Sequence, residues 1–492
     1  MKYIVIIDQG TTSTRAIIYN TLGEVQSSSQ EEFKQIYPKP GYVEHDPIDI
    51  LSSVRSVIST ALTKARVKYS QILCLGITNQ RETVIAWDKN TGEPVYNALV
   101  WQCRRTKERC LELKKAGYTD LIQKKTGLKL DSYFSASKME WILKNVKQSQ
   151  VLLNEHRLLV GTVDTYLLWQ LSGGKIYKTD YTNASRTMLY NIHELCWDQE
   201  LCNLFHIPME ILPEVCPSSH LYGYTDKEML GFEVPISSVA GDQQSSLFGQ
   251  CCFEKGDLKV TYGTGCFLLL NTGSSALYSN NGLITTLNCQ TTDIPSYALE
   301  GSVFVGGAVI QWLRDELKLL SKSSDSEELA RSVDNTNGVY LVPAFVGLGA
   351  PYWDFEAEGL ITGITRGTNR AHIVRAALES IAYQVNDVTL AMSKDMHQAI
   401  QFIKVDGGAS ENGFLMEFQA DISNVSILCP FHKEVTALGA FYLAALQQKI
   451  YTSLEDIKQV NQIEKVFPSK MDEKKRNELL NGWNKAIKKS QI

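Results

Sequence analysis

The chain has 492 residues, 44% of them hydrophobic and 21% charged, which is a globular composition at a length that favours two or three domains. Its formal net charge of −5 argues against a nucleic-acid partner, because nucleic acids bind basic surfaces. The eleven cysteines include no Cys-x-x-Cys pair, and the apolar run in MKYIVIID is too short for a signal peptide or a membrane span. We therefore expect a cytoplasmic protein with reduced thiols and no integral membrane segment.

The first predicted elements are two strands joined by a polar turn, in the stretch VIIDQGTTSTR from Val5 to Arg15. A β-branched run ends at Asp8, and residues 15–19 alternate as a second strand, so the hydroxyl residues between them lie at a hairpin tip. The chain contains neither a P-loop nor a Gly-x-Gly-x-x-Gly motif. The N–H groups and hydroxyls of such a tip can bind phosphate, and a solvated hairpin is the alternative.

Polar residues also follow two later strand-like segments. Arg81 and Glu82 come after one of them, where they could donate to and accept from the vicinal hydroxyls of a polyol, or form a surface ion pair. Asp242 comes after the apolar residues 236–240 and opens a helix-like stretch. A carboxylate at that place suits a general base or a magnesium ligand, and it also suits a helix N-cap.

The second half of the chain repeats the pattern of the first. Residues 258–276, LKVTYGTGCFLLLNTGSSA, predict a strand, a turn carrying Thr264 and a second strand. Two such tips, one in each half, could hold the phosphates of a nucleotide from two sides. The predicted fold is therefore α/β: a duplicated domain with a cleft between the copies, its clearest helical patterns at residues 136–146 and 371–392.

Two glycine pairs stand before helical patterns in this second half. They are Gly306-Gly307, before AVIQWL, and Gly407-Gly408, after the strand-like FIKV. Glycine at such places lets the backbone approach a ligand closely, or simply makes a tight turn.

Longer stretches of the chain resemble the FGGY family of carbohydrate kinases, and in particular its glycerol-phosphorylating members. In chain order they read DQGTTSTRA, GITNQRET, NALVWQCRRT, TDYTNASRTML, GDQQ, TYGTGCF, NTNGVYLVPAF, GLGAPYWD and VDGG. YFSASKMEWILKN and GLITGITRGTNRAHIVRAALESIAYQ are similar to the general signatures of the family. The resemblance runs from Tyr3 to about Lys488.

The resemblance implies two ribonuclease-H-like domains of the actin and hexokinase type, which flank an ATP-binding cleft. We place them at residues 1–252, with the glycerol site and the first phosphate hairpin, and at residues 253–492, with nucleotide-binding residues. The implied reaction is phosphorylation of glycerol by ATP with Mg²⁺, giving sn-glycerol 3-phosphate and ADP. This reaction is an entry step of glycerol catabolism and supplies a glycerolipid precursor. A homodimer or homotetramer is expected.

The family's site residues carry over position by position. The resemblance makes Asp242 the catalytic base, and Asp8 together with Asp242 the metal-associated carboxylates. The implied substrate residues are Arg81, Glu82, Tyr133, Asp242 and Gln243, with Trp101 and Phe267 as apolar walls. The implied nucleotide residues are Thr11, Thr12, Ser13, Arg15, Thr264, Gly307, Gln311, Gly408 and Asn412.

The departures from the family pattern concern regulation. The region YTDKEMLGFEVP lacks the glycine-rich loop that binds fructose 1,6-bisphosphate in some relatives, and the context of His220 does not match the phosphorylated histidine loop of others. We expect neither form of control. The alternative functions are a kinase of another polyol or ketose, and a non-catalytic ATPase of the actin fold.

Overall fold

The computed structural model describes residues 2–292, 294–354 and 356–491, which form two compact units. The first unit contains Met1–Cys251, Thr285–Tyr297 and Glu434–Val460. The second contains Cys252–Ile284, Ala298–Lys433 and Asn461–Ile492. The first break between the units thus lies one residue before the predicted boundary at 252/253. Two later segments, Thr285–Tyr297 and Glu434–Val460, return to the first unit, so a single boundary does not describe the division of the chain.

The first unit is built on a six-stranded mixed sheet. In spatial order its strands are Ser219–Tyr224, Pro235–Gly241, Ile72–Asn79, Tyr3–Gln9, Ser13–Asn20 and Val25–Glu32. The predicted hairpin is confirmed, because Tyr3–Gln9 pairs antiparallel with Ser13–Asn20. A smaller four-stranded sheet lies in the same unit, with the strand order Glu44–His45, Ala98–Leu99, Val84–Asp88 and Leu158–Thr162. Two further strand pairs are Tyr190–Asn191 with Cys196–Trp197 and Glu214–Cys216 with Lys178–Asp180.

The helices of the first unit cover its sheets. They are Pro47–Ala65, Lys107–Lys115, Thr119–Thr126, Ser135–Asn145, Lys147–Asn154, Val163–Leu171, Tyr181–Ala184, Gln199–Leu204, Lys227–Leu230, Asp242–Gly249, Val435–Gln447 and Leu454–Val460. The first helix begins where the Asp46 carboxylate accepts the N–H of Ile48 at 2.8 Å, with Pro47 in its first turn. Its apolar face joins the sheet in a buried core that includes Val54, Ile58 and Ile77.

Two glycines bring a pair of helices of the first unit into backbone contact. The two helices are Asp242–Gly249 and Val435–Gln447. A Cβ at Gly439 would overlap the carbonyl oxygen of Ser245, and a Cβ at Gly249 would overlap the carbonyl oxygen of Val435. Only glycine allows this approach, and the Ser245 hydroxyl donates to the carbonyl of Thr436 at 2.7 Å across the same contact. This packing, together with contacts of the same helix with the six-stranded sheet, holds residues 434–460 in the first unit.

The described residues of the second unit form most of a seven-stranded sheet and five α-helices. The seven strands in spatial order are Ile284–Leu287, Tyr297–Val303, Cys266–Gly273, Leu258–Tyr262, Phe402–Asp406, Ser426–Pro430 and Ile463–Phe467. Tyr340–Val342 pairs separately with Leu360–Thr362. The helices are Ala308–Asp315, Asp325–Arg331, Arg370–Met396, Gly413–Ser423 and Glu473–Ser490.

The predicted elements of the second half are confirmed. Leu258–Tyr262 and Cys266–Gly273 form the second hairpin, with Thr264 in its turn. The helix predicted at 371–392 extends over Arg370–Met396, because the side chain of Asn369 caps its first turn and the chain leaves the helix only at His397, in a left-handed conformation.

Among the described residues, no helix combines the length and apolar character that crossing a membrane requires. All eleven cysteines are free thiols, and nine of them are buried.

Candidate active site

Three adjacent parallel strands of the first unit end at the same edge of its sheet. Gln9 pairs with Asn79, and Asn79 pairs with Gly241. The chain continues from these ends into the hairpin tip, the run containing Arg81, and Asp242. Loops beyond the carboxyl ends of parallel strands are where α/β proteins commonly bind ligands. The fold therefore brings the predicted phosphate and polyol residues of the first unit together.

Arg81 and Glu82 form a buried charge cluster. The Arg81 Nε lies 3.3 Å from Asp242 Oδ1 and 3.8 Å from Glu82 Oε1, and Arg81 Nη1 donates to Gln244 Oε1 at 3.1 Å. Arg81 is 3% and Glu82 1% exposed, so the alternative of a surface ion pair is wrong. Glu82 has a φ of 61°, an uncommon left-handed backbone for glutamate that turns the chain sharply after the strand.

Arg186 is a member of this cluster that the sequence reasoning did not single out. Its Nε donates to Glu82 Oε1 at 2.6 Å, and the residue is fully buried. Its guanidinium carbon also lies 5.2 Å from the ring centre of Phe134 and 5.9 Å from that of Tyr133. The signal was present, since Arg186 lies inside the stretch TDYTNASRTML, but nothing in one sequence pairs it with Glu82.

Asp242 is the first residue of its helix and not the N-cap, so the capping alternative is wrong. Gly241 occupies the N-cap. A Cβ at this position would lie 2.7 Å from the Arg81 Cγ, which explains why the residue is glycine. The Asp242 carboxylate accepts the N–H of Gln243 at 2.7 Å, and about a third of its side chain, 32%, is exposed. A partly exposed carboxylate beside an arginine, at the positive end of a helix, is available to a ligand.

Trp101 and Tyr133 supply an aromatic corner beside these charges. Their rings are half-buried and meet at 5.4 Å with an interplanar angle of 63°. The Trp101 indole Nε1 also donates to Thr11 Oγ1 at 2.9 Å, which joins the predicted polyol wall to the predicted phosphate tip.

Lys138 is a second residue that the sequence reasoning did not single out. It is fully buried, and its ammonium donates to the backbone carbonyls of Ser132, Tyr133 (2.9 Å) and Phe134 (3.1 Å). Burial lowers the pKa of Lys138 to about 8. The three hydrogen bonds fix the backbone that presents the Tyr133 ring.

The first hairpin tip is a tight turn, in which the N–H of Gly10 donates to the carbonyl of Ser13 at 2.9 Å. Thr12 is exposed and Thr11 and Ser13 are half-buried, and Ser13 Oγ accepts from the Gln30 amide at 2.9 Å. Arg15 forms an ion pair with Glu434 and donates to Gln30 Oε1 at 2.9 Å.

Asp8 lies directly across the hairpin from Arg15 and is half-buried. Burial raises the pKa of Asp8 to about 7; Arg15 lowers this pKa, whereas the carboxylates of Asp242 and Glu434 raise it. Negative charge is therefore concentrated on this side of the tip. Within the part of the chain that the structure describes, no three His, Cys, Asp or Glu side chains form a complete metal-binding cluster.

In the second unit, the tip with Thr264 packs against the start of a helix. The carbonyl of Thr264 accepts the N–H groups of Gly306 at 2.8 Å and Ala308 at 3.1 Å. Gly307 is the N-cap of Ala308–Asp315, and Gln311 projects from the first turns of that helix with an exposed side chain. The tip and the helix start thus form one backbone-lined edge.

The glycine pair at 407–408 reaches the same edge. Thr261, just before the tip, pairs in parallel with Asp406. Gly407 has a φ of 89° and packs on the backbone of Tyr262, whereas a Cβ at Gly408 would meet no atom within 4 Å. Open space beside a backbone is what close approach of a ligand requires.

Asn412 and Phe267 complete the predicted residues of the second unit. Asn412 caps Gly413–Ser423, its Oδ1 accepting the N–H of Leu415 at 3.0 Å, and its Nδ2 donates to Ser326 Oγ at 3.3 Å. Phe267 pairs with Thr261 across the hairpin and is half-buried. The other predicted polyol residues lie in the first unit.

Comparison with known proteins gives full-length matches. Models of the N-terminal and C-terminal domains of the FGGY family of carbohydrate kinases match residues 3–249 and 258–447. The chain is 56% identical over 490 residues to a glycerol kinase of Pseudothermotoga lettingae, covering 99% of this chain and 98% of the relative. It is 55% identical over 489 residues to glycerol kinase 1 of Clostridium tetani, with the same coverage of 99% and 98%.

Solved structures give the same result. The chain is similar to Plasmodium falciparum glycerol kinase with ADP, at a TM-score of 0.95 and 40% identity, covering 100% of this chain and 99% of that one. A ligand-bound xylulose kinase from Lactobacillus acidophilus has a TM-score of 0.88 at 24% identity, covering 99% and 97% of the two chains, and shows the fold alone.

Proposed function

The chain belongs to the FGGY family of carbohydrate kinases, and from this premise we propose how its residues phosphorylate glycerol with ATP. The fold is the two-domain α/β fold of the actin and hexokinase type. The reaction transfers the γ-phosphoryl group of ATP to glycerol and gives glycerol 3-phosphate and ADP. The observation that carries the assignment of the site is the buried Arg81 beside Asp242, at the ends of adjacent strands of a chain 56% identical to a glycerol kinase.

Glycerol is proposed to bind at the charge cluster of the first unit. Arg81 donates to its hydroxyls and Glu82 accepts from them, and Arg186 and Gln244 hold these two side chains in place. Trp101 and Tyr133 supply the apolar side, with Gln243 and Phe267 as further substrate contacts. Because the cluster is buried, a substrate that lacks a hydroxyl leaves a polar group without its partner and binds poorly.

Asp242 is proposed to be the general base. It is partly exposed, and the neighbouring guanidinium of Arg81 fixes its orientation. Phosphoryl transfer has a loose transition state, so the base orients the attacking hydroxyl and takes up its proton as the new bond forms.

Two groups of residues are proposed to bind the nucleotide. Thr11, Thr12, Ser13 and Arg15 contribute hydroxyls, turn N–H groups and a positive charge toward its phosphates. Thr264, Gly307 and Gln311 contribute a second phosphate contact and a helix start, and Gly408 with Asn412 lies on the adenosine side. The open space beside Gly408 supports this last assignment.

Mg²⁺ is proposed to be held by Asp8 and Asp242. The residues fit the ion, because burial and then the negative charge of Asp242 raise the pKa of Asp8, and a cation would relieve the repulsion between the two carboxylates. Two protein carboxylates are also typical for Mg²⁺, which keeps several waters and substrate phosphate oxygens as its other ligands. When bound, the ion neutralises negative charge on the phosphates.

The function is tested by the release of ADP from ATP in the presence of glycerol, dihydroxyacetone, erythritol, xylulose or ribulose. We expect glycerol to give the highest kcat/KM. A preference for a pentose would instead assign the chain to another kinase of the family, and ADP release that does not depend on any polyol would indicate an ATPase.

Replacing Arg81 by lysine is expected to raise the KM for glycerol by about 10- to 100-fold. Lysine keeps the positive charge but loses the planar fork that reaches Asp242 and Gln244 together. Arg157→Lys is the matched control, since Arg157 pairs with Asp88 away from the site and its loss should leave the KM unchanged. An unchanged KM for Arg81→Lys would remove Arg81 from the glycerol site.

Replacing Asp8 by asparagine is expected to raise the Mg²⁺ concentration for half-maximal activity by about tenfold or more, because the variant loses one of two charged oxygen ligands. The measurement is a titration of activity with Mg²⁺ at fixed ATP. Asp456→Asn, at a half-buried aspartate that accepts from Thr452, is the control. If the Asp8 and control titrations coincide, Asp8 does not bind the metal.

A further inference from the structure

The Trp101 indole makes a hydrogen bond that its place in an apolar wall does not explain. Its Nε1 donates to Thr11 Oγ1 at 2.9 Å, whereas its ring packs on Tyr133 at 5.4 Å. An apolar wall needs only the ring. The N–H could have faced solvent, since Trp101 is half-buried, but it is directed at a side chain of the phosphate tip.

We propose that Trp101 is a positioning residue for nucleotide binding, which sets the hydrogen-bond polarity of Thr11. An indole N–H can only donate, so Thr11 Oγ1 must accept from it. The hydroxyl proton of Thr11 is then left to donate to another acceptor, and a hydroxyl that already accepts one hydrogen bond is a stronger donor in the next. A phosphate oxygen has no proton and needs such a donor.

The backbone around this pair is fixed as well. The Gln35 side-chain amide donates to the Thr11 carbonyl at 3.2 Å. The backbone N–H of Trp101 donates to Thr83 Oγ1 at 3.3 Å, and that hydroxyl donates to Gln80 Oε1 at 2.8 Å. The backbones of Trp101 and Thr11 are therefore both held by hydrogen bonds to other residues. With both backbones fixed, the hydrogen bond between the indole and the hydroxyl selects one rotamer of Thr11.

The inference rests on the proposed contact of Thr11 with the nucleotide phosphates. The test is a double-mutant cycle with Trp101→Phe, which keeps an aromatic ring and removes the N–H, and Thr11→Val, which keeps the shape and removes the hydroxyl. The affinity for a nonhydrolysable ATP analogue with Mg²⁺ is measured by calorimetry in the absence of glycerol, so that the lost polyol contact of Trp101 does not contribute.

We expect Trp101→Phe and Thr11→Val each to weaken binding of the analogue by about three- to tenfold, the usual effect of one hydrogen bond. The double variant should bind the analogue no more weakly than whichever single variant binds it more weakly. Thr11→Ser, which keeps the hydroxyl, should retain most of the affinity. Trp197→Phe is the matched control: its indole donates to the Pro213 carbonyl at 2.8 Å away from the site, and its removal should not change the affinity.

Two results would overturn the inference in distinguishable ways. Normal affinity of Thr11→Val would show that Thr11 does not contact the phosphates, and the proposed nucleotide site would fail with it. Weak binding of Thr11→Val together with normal affinity of Trp101→Phe, or with effects that add in the double variant, would overturn the role of Trp101 alone. Melting curves of each variant establish that the compared proteins are folded.

Discussion

Replacing Asp242 by asparagine is expected to lower kcat for glycerol phosphorylation by about 10²- to 10⁴-fold, the usual range for the loss of a general base. Asparagine has the same shape, and its carbonyl oxygen can still accept from Arg81 and from the N–H of Gln243. What it cannot do is take the proton of the attacking hydroxyl. The measurement is ADP release at saturating glycerol and ATP.

The same variant tests whether binding and chemistry are separate at this residue. Glycerol affinity, measured by calorimetry without nucleotide, should change by less than about tenfold, because Arg81 and Glu82 remain in place. A kcat within about fivefold of the wild-type value would show that Asp242 is not the base. A large loss of glycerol affinity with normal kcat would make it a binding residue only.

Replacing Gly439 by leucine is expected to destabilise the first unit by more than about 3 kcal/mol, at the upper end of what single substitutions cause. The new side chain would occupy the position of the Ser245 carbonyl, so the helices Val435–Gln447 and Asp242–Gly249 would have to separate. Asp242 begins the second of these helices, and activity should fall as well. The measurement is unfolding by heat and by denaturant.

The matched control places the same leucine at Gln447, the half-exposed last residue of the same helix. We expect it to change the free energy of unfolding by less than about 1 kcal/mol. Equal stability of the Gly439 and Gln447 variants would mean that the two helices can move apart at no cost, and that the contact does not hold residues 434–460 in the first unit.

Local patterns were enough to predict much of this site. The tips at residues 10–13 and 263–265 were predicted because glycine and short hydroxyl residues between alternating apolar runs favour a turn. The placement of Arg81 and Asp242 at strand ends followed from the apolar segments before them. Their assignment to glycerol came from the resemblance to the family, because one sequence does not say which strand ends are neighbours.

The features that were not predicted depend on contacts between distant parts of the chain. Arg186 is 104 positions from Glu82, and no local pattern distinguishes it from a surface arginine. Asp242 was considered as an N-cap because aspartate favours that position, but the helix begins one residue earlier than this alternative requires, with Gly241 at the N-cap. Contact with Arg81, 160 positions away, explains only the glycine at position 241, where a Cβ would lie 2.7 Å from the Arg81 Cγ.

The return of residues 434–460 to the first unit has a consequence for biosynthesis. The ribosome releases Asp242–Gly249 long before its partner helix Val435–Gln447 exists. At 5–20 residues per second, this delay is about 10 to 40 s, which is long compared with the folding of a single domain. The first unit is therefore complete only after residues 434–460 have been synthesised, and until then the helix Asp242–Gly249 lacks the partner whose Gly439 packs against it.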